Sequence, residues 1–276
     1  MKQEQPLTII QADQGWLPLN IDEIWAYRDL LYLLVWRDIR SRYRQMALGP
    51  LWIVLQPLMT IAIFSVVFGG FAKIPSDGIP YPIFAYAALL PWQLFATATV
   101  KASDSLVNNV HLISKVYFPR IIVPIAAVLV SLADFAASFG VLLLMMLFYR
   151  IYPTFAVITL PLYILLAMGT AWGVGLWLAS LSVKFRDVAI AVTYLVQIWF
   201  YATAVIYPTS IVPEKWRNLF LLNPMTQVVE GFRWALLGNG QPPNIISLLA
   251  VILVIVLLIS GAFYFRQTEG SIVDEI

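Results

Sequence analysis

Of 276 residues, 61% are hydrophobic and only 12% are charged, and the net charge is +2. A soluble domain of this size needs several times more charge to cover its surface, and no basic block interleaved with aromatics offers a nucleic-acid footprint. With no cysteine and one histidine, His111, the chain has no disulfide and no ligand set for structural zinc or haem.

Residues 1–10 lack the charged start and short apolar core of a cleavable signal, so the N-terminus is expected to stay where it is made. Residues 19–24 read as a helix start. Asn20 is a good cap, Glu23 stands where a capping-box acid belongs, and Leu19 and Ile24 have the spacing of a hydrophobic staple. The helix predicted over 20–46 places Ile24, Tyr27, Leu31 and Leu34 on one face. Asp22, Asp29, Arg37, Arg40 and Arg44 gather on another. Its apolar run, 30–36, is too short to cross a bilayer. The helix is expected in the interface plane, with Trp25 and Trp36 at headgroup level and arginines facing phosphates. Membrane anchor and docking element are both open readings.

Six long apolar stretches follow: 51–71, 81–100, 121–149, 158–183, 188–207 and 245–265. About 20 helical residues match the roughly 30 Å of hydrocarbon, and helices satisfy the backbone polar groups that lipid cannot. Assigning the connections alternately gives twelve Lys and Arg on the side of the termini and five on the other. By the positive-inside rule both termini are cytoplasmic.

Within the second stretch Pro91 predicts a kink. Residues 101–120 follow, with a polar start and then Val110, Ile113, Val116 and Tyr117; they read as a short helix lying along the cytoplasmic face. The third stretch carries the only acid in the six, Asp134. An acid at such depth is a proton-relay or ion-ligand candidate. The structural alternative is hydrogen bonding to Ser131, Ser138 or a tryptophan of another helix. No basic residue is expected at the same depth, so an ion pair is not. Ala133, Ala136, Ala137 and Gly140, and in the fourth stretch Gly169, Gly173 and Gly175, offer small-residue faces for close helix packing.

Residues 208–244 are too long for a turn and contain no span. A short helix is predicted over 216–222. Asn223 then caps a second, with Pro224 at its first position and Gly238 just past its end. Met225, Val229, Phe232 and Leu236 form its apolar face, and Glu230 and Arg233 are spaced to pair. Two short helices on the outer side read as a re-entrant hairpin, which membranes tolerate only against protein or a water-filled cavity.

These elements resemble the membrane subunit of a type-2 ABC exporter over nearly the whole chain. The polysaccharide branch, which serves O-antigen, capsule and teichoic-acid export, is the best match. The resemblance rests on three runs: RDIRSRYRQMALGPLWIVLQPL at 37–58, ISKVYFPR at 113–120, and NPMTQVVEGFRWALLG at 223–238. It implies an all-α fold with one membrane domain: a tail (1–19), the interface helix (20–46), six spans (50–265) enclosing an outer gate hairpin (208–240), and a second tail (266–276). It further implies a homodimer in the bacterial inner membrane, bound to two copies of a soluble ABC ATPase that hold ATP and Mg. This chain then has no catalytic residue, metal or cofactor, in keeping with the lack of any GxxxxGK[ST] phosphate loop.

The resemblance assigns ATPase docking to Asn109, Val110, His111, Ile113, Lys115, Tyr117 and Arg120, with Arg186 and Asp187 as a second contact. It assigns the gate to Asn223, Pro224, Glu230, Phe232 and Arg233. Sugar rings stack on aromatic faces, which makes Phe64, Phe68, Phe71, Tyr194, Trp199, Phe200 and Tyr201 candidates for the path. The interface belt of aromatics explains many such residues equally well. A lipid-linked glycan carries phosphate, for which Arg37, Arg40, Arg42 and Arg44 stand at headgroup height. Export of a drug or small lipid is the nearest rival. A proton-coupled secondary transporter using Asp134 would show inverted repeats and further intramembrane charges, and a membrane transferase would show paired acids, a histidine base or a metal cluster.

Overall fold

The computed structural model describes residues 21–44 and 51–270. The Asn20 cap, the staple residue Leu19 and the 1–19 tail lie outside the described residues. The chain is helical throughout that range: α1 (Ile21–Ala26), α2 (Arg28–Arg44), α3 (Leu51–Phe64), α4 (Tyr81–Asn108), α5 (Val110–Ile113) and α6 (Ile122–Tyr149). Then come α7 (Leu160–Lys184), α8 (Asp187–Tyr201), α9 (Glu214–Leu222), α10 (Pro224–Leu237) and α11 (Ile245–Glu269). α3 continues into a π-helical turn over Ser65–Phe71.

Among the described residues five helices are long and apolar enough to cross a membrane: Val54–Phe71, Tyr81–Asn108, Ile122–Tyr149, Phe155–Lys184 and Ile245–Glu269. α8 is apolar but only 15 residues long. The predicted fifth stretch, 188–207, therefore stops early as helix, at Tyr201.

α4 is the axis of the molecule. Its most apolar window is 78% buried, against 11–39% for the other four spans, and it packs on α6, α7 and α10. Lipid is as apolar as leucine, so close packing rather than water exclusion holds such helices together. The sequence supplies that closeness with small residues. A Cβ added at Gly173 would lie 3.0 Å from the Leu257 carbonyl carbon in α11, and one at Gly261 only 2.6 Å from the Gly173 oxygen. One at Gly175 would lie 2.6 Å from the Ala102 Cβ of α4. The predicted packing role of Gly169, Gly173 and Gly175 is what the fold uses. The Gly140 face is different, since a Cβ there meets nothing within 4 Å.

Two boundaries differ from expectation. α4 does not end near residue 100; it runs unbroken past Pro91 and through Lys101 to Asn108. The membrane-parallel helix expected over 101–120 shrinks to the single turn α5. Ala102, Ser103, Ser105 and Leu106 explain the extension. Their buried, small face packs on α7, and the Ser182 hydroxyl donates to the Ser103 carbonyl at 2.6 Å. The second difference is α2. The face of Ile24, Tyr27, Leu31 and Leu34 packs on Leu106, Ile113, Phe118 and Ile122 rather than on lipid. Trp25, Tyr32, Leu33 and Trp36 form a second, exposed apolar face.

Candidate coupling, path and gate sites

At the end where α4 and α6 meet, α5 is a one-turn platform. Ile113 is buried beneath it, while His111, Lys115 and Tyr117 point outward, Tyr117 with 71% of its surface exposed. The Arg37 guanidinium of α2 donates to the Asn109 side-chain oxygen at 2.8 Å, tying α2 to the residue before α5. The Asn109 amide donates to the Ser105 carbonyl. Arg120 holds the far end of α11: its backbone N–H donates to the Glu269 carboxylate and its guanidinium to the Glu269 carbonyl. Of the predicted docking set, Val110 is half-buried, and Arg186 and Asp187 are exposed where α8 begins.

The largest departure from expectation is Asp134. Its carboxylate pairs with both Arg42 of α2 and Lys101 of α4, the latter at 3.2 Å. The expectation of no ion pair was therefore wrong. The sequence reading puts Lys101 at the start of a helix lying along the cytoplasmic face; the extension of α4 puts it within α4 instead, about 10 Å along from its Asn108 end. α2, packed along α6, carries Arg42 to the same level, about 18 Å along α6 from Ile122. An acid with two cations as partners is not a lone intramembrane carboxylate. Of the four predicted phosphate-facing arginines, Arg40 is exposed, Arg37 and Arg42 are engaged as described, and the Arg44 side chain lies outside the described residues.

The predicted path residues divide by contact. Phe64 meets Phe68 edge-on at 5.4 Å and Phe200 at 6.3 Å, and Phe200 also meets Trp92 and Tyr201. Trp199 turns inward. It stacks edge-on against Phe95 at 4.9 Å, and its indole donates to the Asn223 side-chain oxygen at 3.0 Å. Phe71, Tyr194 and Tyr201 are exposed. So α3 and α8 meet through the Phe64–Phe200 ring contact and still leave aromatic surface uncovered.

The hairpin is built as the sequence predicts. Asn223 caps α10, its side-chain oxygen accepting from the Met225 N–H; Pro224 opens the helix, and Gly238 closes it at φ 69°. The expected apolar face is fully buried, and so is nearly every other side of α10, including Phe232. Glu230 and Arg233 pair at 3.1 Å with at most 5% of either side chain exposed.

Arg233 does more than pair. It donates to the carbonyls of Ala204, Val205 and Tyr207 at 2.8–3.3 Å and lies 3.7 Å over the Phe84 ring. Tyr81 adds a bond to the Ile206 carbonyl at 2.9 Å. Burial draws the Arg233 pKa down from its ordinary value, and the Glu230 charge opposes that. Residues 202–207 thus place their carbonyls on side chains instead of on a helical ladder, which is why α8 ends at Tyr201. In the same loop, burial pushes the Tyr207 phenol up.

Sequence reading missed Lys101, Phe84 and Tyr81 as parts of these sites. Lys101 was legible in principle, since Ala98, Ala102 and Ser105 continue one helical face across it.

Five crossing-length helices, a charged platform at one end and a buried helical hairpin at the other define a multi-pass membrane protein. The sequence signature of the ABC-2 type transporter family matches residues 29–237, and the chain belongs to that family. It is 31% identical over 255 residues to the O-antigen export system permease protein RfbA of Myxococcus xanthus, covering 90% of this chain and 96% of that protein. A Klebsiella pneumoniae protein of the same name is 28% identical, covering 80% and 85%. The polysialic acid transport protein KpsM of Escherichia coli is 23% identical, covering 86% and 92%.

Proposed function

We propose that this chain is the channel-forming membrane subunit of an ATP-driven exporter. It moves a lipid-linked, O-antigen-like polysaccharide from the cytoplasmic side across the bacterial inner membrane. It works as a homodimer with two copies of a soluble ABC ATPase, which bind ATP and Mg. The observation that carries this reading is the uncovered surface of α3 and α8. Only Val192 of α8 is buried, and Met59, Ile63, Phe71, Tyr194, Ile198 and Tyr201 face outward. Two such surfaces brought together by a second copy would enclose a lining of aromatics and aliphatics, on which sugar rings slide by their apolar faces. The similarity to O-antigen export permeases and a polysialic acid transport protein supports the substrate class.

In this reading six spans cross the membrane, the short α8 being the fifth, and both termini are cytoplasmic. ATP-driven closure of the ATPases presses on α5 and on the start of α8, and the spans respond as near-rigid bodies. The α9–α10 hairpin closes the outer end.

The test uses the chain co-purified with its ATPase and reconstituted in proteoliposomes. Translocation of lipid-linked polysaccharide should require ATP, and Tyr194→Cys should cross-link between two copies. Translocation by the chain alone, without any ATPase, would refute the proposal.

A further inference from the structure

Two cavities meet at Arg42 between α2, α3, α4 and α6. The one at the α5 end has a volume of about 240 Å³ and is lined by Arg37, Asp38, Lys101 and Asp104 among others. The inner one, about 170 Å³, is lined by Trp52, Gln56, Gln93, Thr97, Ser131 and Asp134. Both are far larger than the ~10–15 Å³ a single water requires. Arg42 lines both, with Lys101 in the wall of the first and Asp134 in the wall of the second, so the Arg42–Asp134–Lys101 cluster stands between them.

The chemistry of the lining selects among ligands. Among the described residues the two cavities are lined by three cations (Arg37, Arg42 and Lys101) and three carboxylates (Asp38, Asp104 and Asp134). Arg42 and Lys101 are engaged by Asp134 and Arg37 by Asp38, so these three cations are already committed to carboxylates. The inner chamber instead offers two glutamine amides, which both donate and accept, and the hydroxyl oxygens of Thr97, Ser131 and Ser138; Thr97 and Ser131 already donate to the Gln93 and Ala127 carbonyls and so present acceptors. The Gln56 and Gln93 amides bond to no protein group among the described residues. Trp52 closes one wall with 43% of its surface exposed.

Amide donors and acceptors, hydroxyl oxygens, a stacking aromatic, and a charge pair held in place match the needs of a pyranose. Each sugar hydroxyl both gives and takes a hydrogen bond, while the ring's C–H face is apolar. A purely apolar lipid tail would leave the two glutamine amides unpaired at a cost of about 1–3 kcal/mol each.

We propose that the inner chamber is a glycosyl-binding subsite, which takes the sugar nearest the lipid phosphate of the substrate. The inference rests on the lipid-linked glycan reading above and deepens it. The subsite lies on the α4–α6 side of α3, and it would let the subunit recognise the first sugar before the polymer enters the path. Arg42, Lys101 and Asp134 set the chamber's entrance, so α2 positions the ligand without supplying a free phosphate clamp.

Because the chain has no cysteine, one introduced thiol reports on the chamber alone. In the complex with its ATPase, in nanodiscs, Thr97→Cys is labelled with a small maleimide. The rate is compared without lipid, with bare polyprenyl diphosphate, and with polyprenyl diphosphate carrying one glucose, galactose or N-acetylglucosamine. At least one sugar-bearing lipid should slow labelling about tenfold when present at about ten times its Kd, as mass action requires. Bare polyprenyl diphosphate should not slow it, and Gln93→Leu should abolish the protection. Tyr152→Cys, exposed in the connection after α6 and part of none of the sites described, should label at the same rate throughout. If Thr97→Cys impairs assembly, Ser138→Cys reads the same chamber.

A thiol that never reacts, equal protection by bare lipid, or no protection by any of the three sugars overturns the inference. When export of lipid-linked glycan persists in the same preparation, the proposed function stands without the subsite. A complex that exports no such glycan overturns both.

Discussion

Replacing Arg233 by leucine should be the most damaging single change in the hairpin, and its size can be worked from the structure. The substitution removes the partner of Glu230, whose side chain is 5% exposed, and three donors to the carbonyls of Ala204, Val205 and Tyr207. A carbonyl left unpaired away from water costs about 1–3 kcal/mol, and breaking a buried ion pair from one side costs about 3–5 kcal/mol. Protonation of Glu230 and local relaxation recover part of this. A net loss of about 4–6 kcal/mol is expected from those same terms. Glu230→Gln is milder. Arg233 keeps its three carbonyls and the Phe84 ring, so the loss should be about 1–3 kcal/mol. In the double variant Glu230→Gln/Arg233→Leu the uncompensated carboxylate is gone, and the combined loss should fall short of the sum of the two. Reversible unfolding in mixed detergent and SDS micelles, followed by tryptophan fluorescence, measures all three. A loss under about 1 kcal/mol for Arg233→Leu, or strict additivity, would refute the account of why α8 stops at Tyr201.

Three further outcomes follow from named contacts. Gly173→Ala forces a Cβ to within 3.0 Å of α11 backbone and should cost about 1–3 kcal/mol in the same assay, whereas Gly140→Ala, which meets open space, should be neutral. Asp134→Asn should lower export while leaving ATPase binding intact, and the swap Arg42→Asp with Asp134→Arg should recover part of it. Equal export in Asp134→Asn and the parent would remove the pair from the mechanism. Tyr117→Asp, at the exposed edge of the α5 platform, should reduce co-purification of the ATPase without changing the stability of the chain alone; unchanged co-purification would move docking elsewhere.

The hairpin could be read from local chemistry because its signals are local. Asn223, Pro224 and Gly238 each state a backbone position, and Glu230 and Arg233 lie on one helical face. The α7–α11 contact was half legible, since Gly169 and Gly173 announce a close approach but not its partner. The Asp134 cluster was not legible in the same way. Whether Lys101 faces Asp134 depends on where α4 ends, and whether Arg42 reaches it depends on how α2 lies against α6. Both are set by packing between elements far apart in sequence. Trp199 shows the same limit: its place in an aromatic run fits a path lining, but its indole is committed to Asn223.

Two tethers give the arrangement mechanical sense. At the platform end, α2 is fixed twice, to Asn109 through Arg37 and to Asp134 through Arg42, and the chain beyond it leads to α3. At the other end, the last turn of α8 is fixed to the hairpin through Trp199, while Thr203 and the Ala202 carbonyl are held by the Asn223 amide. Between these tethers α3 and α8 touch through Phe64 and Phe200, and otherwise leave their outward faces bare. The two helices with the least internal cover are therefore the two whose ends are most directly tied, one to the platform and one to the outer hairpin. A push on α5 or on Asp187 reaches the bare faces by short routes through bonded side chains, whereas the α4–α7–α11 stack, locked by glycine contacts, has no slack to absorb it. If that division is right, cross-linking α4 to α7 should spare export, and cross-linking α3 to α8 at Phe64 and Phe200 should stop it.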